Sequence, residues 1–132
     1  MQTFTKVAGI TMTDDRREFA AELMEQQNYV RQADNDITGI EEINDKTWEF
    51  NRMASLVREA DNEFDPNAIA VFVRTVTGNR QLGYIPKDVA AKLAPLMDEG
   101  ADLRAVITLM TGGGEKNIGA NLRITEIISE GG

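Results

Sequence analysis

Three carboxylates, Asp61, Glu63 and Asp65, stand at every second position of the stretch DNEFDPN (61–67), which runs straight into the apolar AIAVFV (68–73). Alternating oxygen ligands of this kind open a calcium-binding EF-hand loop. The remainder of that loop fails here: Pro66 occupies the position that needs glycine for the sharp turn, and Phe72 the position of the final bidentate glutamate. A second candidate, GGGEKN (112–117), lacks both the spacing ahead of Lys116 and the Ser or Thr after it that a phosphate-cradling P-loop requires. The chain contains no cysteine and no histidine, which removes thiolate nucleophiles, histidine-based triads, disulfides and ordinary zinc sites. No catalytic pair, metal or cofactor is expected. The plain reading of 61–67 is a turn held by Asx hydrogen bonds at the mouth of a strand.

Net charge sets the next limit. At −8 the chain is a poor candidate for tight non-specific nucleic-acid binding, whose affinity comes from Lys and Arg on phosphates. The acidity is uneven, however: residues 13–65 hold 15 acids and 6 bases, while the rest hold 7 and 8. The second part can therefore still accept a phosphate. No apolar run approaches the ~20 residues of a membrane span. The opening MQTFTKVAGITM shows no signal-peptide pattern, so a cytoplasmic location is expected.

The elements that must position these residues follow from periodicity. A first strand is expected over 3–12, with Gly9 at a bulge or close approach. Thr13 or Asp14 caps a helix over 14–28, whose inner face carries Phe19, Ala20, Leu23, Met24 and Gln27. Residues 31–47 are polar and turn-rich and suggest a long excursion with weak regular structure. A strand over 48–60 is entered through Trp48, expected in the core, and Phe50. Residues 68–76 are apolar on both faces and predict a central strand in which Ile69 and Phe72 are both buried. TGNR (77–80) reads as a turn with Gly78 and Asn79 at positive φ, followed by a return strand over 81–85. A helix runs from Pro86 to a Gly100 cap, kinked or split by Pro95. Strands at 103–110 and 122–128 flank a flexible loop, 111–121. The sum is an α+β domain or a small, partly open barrel of about six mostly antiparallel strands with two main helices.

Residues 56–98 carry a more specific pattern. LVREADNEFDPNAIAVFV (56–73), then QLGYIPKDVAAKLAPLMDEG (81–100), together with VAGI (7–10), resembles the HIRAN domain. That family shows Arg-Glu-Pro-x-Asn-Pro-Tyr-Asp-x-Asn-Ala before a hydrophobic strand, then Gly-Tyr/His-Ile-Pro/Lys and a helix ending Leu-Asp-x-Gly. The resemblance implies an OB-like barrel and a non-enzymatic domain that captures the 3′-hydroxyl end of single-stranded DNA, in repair or replication processing. The chain, one domain over 1–132, departs from that pattern in an acidic insertion at about 13–47, which either covers the DNA groove or offers a surface to a protein partner; the alternative function is a protein-interaction or regulatory module on the same fold that uses this insertion.

By the same resemblance Asp65 receives the terminal hydroxyl, Phe64 replaces a stacking tyrosine, Asp61 replaces a polar asparagine and Tyr84 replaces a histidine. Thr11 and Met12 stand where the DNA-binding relative has an arginine followed by tyrosines, so a phosphate contact and a stacking ring are missing there. Backbone amides near Lys87, at the start of a helix, can hold a phosphate.

Overall fold

The computed structural model describes residues 1–38 and 48–128. The strands are β1 (Gln2–Lys6), β2 (Arg52–Arg58), β3 (Ile69–Thr75), β4 (Gly78–Tyr84), β5 (Asp102–Gly113) and β6 (Lys116–Ile127), and the helices are α1 (Asp14–Thr38) and α2 (Lys87–Asp98). All six strands join in one antiparallel sheet ordered β1-β6-β5-β2-β3-β4. The two ends of that order meet: beyond β1, Ala8 forms a bridge with Tyr84 of β4 through backbone hydrogen bonds of 2.7 and 2.8 Å. The sheet is thereby curled into a barrel.

β3 is buried because both of its faces are apolar. Ile69, Ala70, Val71 and Val73 are fully enclosed. Phe72 is only half-buried, unlike the sequence expectation, and β3 lies one place from the end of the strand order rather than at its centre. A bulge between Val71 and Phe72 shifts its register against β4. β2 alternates half-buried and exposed residues along its whole length, as a strand covered on one face does.

Several expected boundaries move. The first strand stops at Lys6; Gly9 turns the chain at φ 76°, and Ile10–Met12 form a short 3-10 helix instead of continuing as strand. α1 runs to Thr38, so residues 31–38 are helical rather than weakly structured, and 39–47 lie outside the described residues. β2 begins only at Arg52. Trp48 is in neither a strand nor the core: its indole N–H donates to Asp34 Oδ2 at 2.8 Å, and the Arg31 guanidinium lies 5.3 Å from its ring centre. The β3–β4 turn is Val76–Thr77, and only Gly78 has positive φ; Asn79 is already in β4.

Pro95 does not split α2, which is one helix closed by a Gly100 cap. Gly100 N–H donates to Met97 O and Ala101 N–H to Leu96 O, and Gly100 supplies the positive φ. The proposed loop 111–121 is strand: β5 and β6 continue pairing to Gly113 and Lys116, turning at Gly114-Glu115. Gly112 permits this, since a Cβ there would lie 2.1 Å from Asn117 O.

α1 packs on the barrel, against β4, β5 and β6, with the predicted face. Phe19, Ala20 and Leu23 are buried against the strands, and Gln27 is buried with them at 3% exposure. Its side-chain amide pairs with the backbone of Met110, accepting from the N–H at 2.7 Å and donating to the carbonyl at 3.0 Å. The partners lie beside a bulge in β5, between Ile107 and Leu109. The register of β2 on β5 ends at Ile107, so Gln27 satisfies backbone groups on an edge of β5 that its neighbour no longer covers.

Candidate nucleic-acid interface

The turn 59–68 is built from its own side chains. Asn62 Oδ1 accepts hydrogen bonds from the backbone N–H groups of Phe64 and Asp65, at 2.9 and 3.0 Å. Asp65 Oδ1 accepts from Asn67 N–H at 2.9 Å, and Asp65 O accepts from Ala68 N–H. One carboxylate oxygen of Asp65 therefore builds the turn. The other has no hydrogen-bond partner among the described residues. The arrangement leaves Phe64 nowhere to pack: its side chain is 92% exposed. The turn holds this aromatic ring clear of the core, open to a ligand.

Tyr84 is fixed from several sides. Its backbone pairs with Ala8, and its hydroxyl donates to Glu59 Oε1 at 2.9 Å, the same oxygen that accepts from Asn62 Nδ2 at 3.0 Å. Glu59 thus ties the turn to the barrel seam. Gly83 is needed beside it, because a Cβ there would sit 2.3 Å from Ala8 O.

Between the turn, the seam and the start of α2 lies an open groove of about 720 Å³. Phe64, Asp65, Tyr84, Met12 and Lys87, five of the residues singled out from the sequence, line it. Lys87 is exposed at the first position of α2, directly after Pro86, which offers no capping side chain. The first amides of a helix have no partner within the helix. Met12 is 75% exposed at the end of the 3-10 helix.

Two named residues are placed elsewhere. Asp61 is exposed on the turn and does not line the groove; its neighbour Asn62 does. In the family pattern quoted above, Asn62 also falls on the asparagine, one place after an unrestricted position, so the motif itself carried that signal. Thr11 lines a separate cleft of about 190 Å³, between the start of α1 and the β5–β6 turn. Among the described residues no group of three or more carboxylates is gathered as a metal site.

The sequence reading missed Arg16. It reaches the groove from the first turns of α1, where Nη1 donates to Gly9 O at 3.2 Å and Nη2 to Gln81 Oε1 at 3.4 Å. Its guanidinium carbon lies 5.3 Å from the centre of the Tyr84 ring, within cation–π range. In the sequence, DDRRE (14–18) reads as a solvated helix start, and nothing local distinguishes its two arginines.

Comparison with known proteins gives consistent matches. The family model of the HIRAN domain matches residues 21–126. A 48-residue segment is 50% identical to the helicase-like transcription factor of Oryctolagus cuniculus; it covers 36% of this chain and only 4% of that protein. The crystal structure of the HIRAN domain of human HLTF superposes with a TM-score of 0.56 at 23% identity, over 95% of this chain and 74% of that one. A protein from Lactobacillus plantarum gives a TM-score of 0.53 at 21% identity, over 94% and 98% of the two chains. At these identities the two structures speak for the fold. No described helix is long and apolar enough to cross a membrane.

Proposed function

We propose that this chain, which belongs to the HIRAN domain family, uses the groove to bind the 3′-hydroxyl end of a single DNA strand, without catalysis. The observation that carries the reading is the exposed Phe64 ring beside the half-used carboxylate of Asp65. An exposed aromatic stacks on any base, contributing about 1–3 kcal/mol. A carboxylate accepts a hydrogen bond from a terminal hydroxyl but repels a terminal phosphate, so it selects an end. Lys87 and the uncapped start of α2 supply positive potential on another wall.

The test is a titration of fluorescent oligonucleotides ending in a 3′-hydroxyl or a 3′-phosphate, at low and stated salt. Preferential binding of the hydroxyl end is expected, weakening steeply as salt rises. Equal affinity for both ends overturns end recognition. No binding of either would turn the search to a protein partner of the acidic segment.

A further inference from the structure

We propose that Arg16 of α1 is a phosphate-binding residue of this groove, on the wall opposite the Lys87 end, so that the acidic helix contributes a cation to the site. The proposal rests on the single-strand reading above. Its first support is charge. Arg17, Arg58, Arg80, Arg104 and Arg123 each pair with a carboxylate; Arg16 has none within ion-pair distance among the described residues, and unlike Arg52 and Arg74, which also lack one, it lines the groove.

The helix explains why. Side chains three or four places apart meet on a helix surface. The neighbours of Arg16 at those distances are Met12, Thr13, Phe19 and Ala20, although Asp14, Asp15, Glu18 and Glu22 crowd the same turns. A cation is thus kept unneutralised inside a strongly acidic segment.

Its second support is orientation. The contacts to Gly9 O, Gln81 and the Tyr84 ring hold the guanidinium at the groove wall and occupy only two of its five N–H donors. The remaining donors form the planar fork that suits a phosphate. Gly9 fits this role: its φ of 76° turns the chain so that its carbonyl meets Arg16, and disfavours other residues there. A base stacked on Phe64 and a sugar terminus at Asp65 would leave nearby phosphates to be neutralised, and Arg16 is the partly buried cation on that wall.

The experiment compares wild type with Arg16→Gln on a short single-stranded oligonucleotide and on versions in which one of the last three linkages is an uncharged methylphosphonate. Thermal melts establish that the variant is folded. Should the amide variant not fold, Arg16→Met, which keeps an unbranched apolar stem against Tyr84, serves in the same comparison. The expected result is a roughly 10- to 100-fold loss for the variant on the normal strand. The slope of log affinity against log salt should fall by about 0.7. One methylphosphonate should weaken wild type but not the variant. If the variant binds as tightly as wild type, or suffers equally from every neutral linkage, Arg16 is not a phosphate contact and the groove reading stands. If wild type binds no strand at all, the groove reading itself falls, and this proposal with it.

Discussion

Ala8 and Tyr84 exchange two backbone hydrogen bonds, 2.7 and 2.8 Å long, across the seam where the first strand segment meets the last strand of the sheet. That pairing brings the Tyr84 ring, the Gly9 turn and Arg16 together on one wall of the groove. The seam is therefore both a structural joint and one wall of the groove.

The seam depends on close approach at Gly83. An added methyl group would meet Val7 Cγ1 at 2.7 Å and Ala8 O at 2.3 Å, and that carbonyl, itself bonded across the seam, cannot move without opening the barrel. Gly83→Ala should destabilise the protein by about 1–3 kcal/mol, the usual cost of overpacking. Urea unfolding measures it; an unchanged midpoint would mean that the seam is not under tension.

Gln27 makes a separate prediction about α1. Gln27→Ala would leave the N–H and C=O of Met110 without their partner in a buried setting. The expected cost is about 1–3 kcal/mol for each group left unpaired. Since the residue lies outside the groove, oligonucleotide affinity of the folded variant should stay unchanged. Denaturant titration and binding together check both halves of the statement.

Phe64 should behave in the opposite way. With 92% of its surface in solvent, Phe64→Ala should alter stability by less than about 0.5 kcal/mol. The same change should weaken single-stranded ligands by about 1–3 kcal/mol, regardless of base. Affinity that survives the substitution would exclude stacking at this position.

Asp65 calls for the amide rather than alanine. Asp65→Asn keeps an oxygen to accept from Asn67 N–H, so the turn survives while the negative charge goes. The preference for a hydroxyl end over a phosphate end should shrink, chiefly through better binding of the phosphate. Competition between the two oligonucleotides reads this directly; an undiminished preference would remove the carboxylate from end selection.

Much of the architecture was legible along the chain because its causes are local. The apolar run at 68–73, the Asx turn before it, the inner face of α1 and the Gly100 cap each depend on residues within one or two turns of one another. Phe64, Asp65 and Tyr84, which line the groove, were singled out by the resemblance to the HIRAN pattern rather than by local composition. Where local reasoning failed, a distant partner decided. Residues 111–121 look like loop composition, yet outside the Gly114-Glu115 turn they lie in strands because the opposite strand supplies the hydrogen bonds. Ile10–Met12 have strand-forming residues but turn at Gly9, after the chain has met Tyr84.

The same division holds for the site. Sequence alone determined that the chemistry would lack thiol, imidazole and a recognisable metal set, and that an aromatic and a carboxylate would sit at the mouth of a strand. It could not separate Arg16 from Arg17, since both lie in one acidic turn with the same local composition. Only the tertiary structure did so: it joined Arg17 to Asp14 on the exposed surface and turned Arg16 toward Gly9 and Tyr84. The reason is that a guanidinium's partners are set by which surfaces the barrel brings within a few ångströms of it, and Tyr84 reaches Arg16 only through closure of the seam.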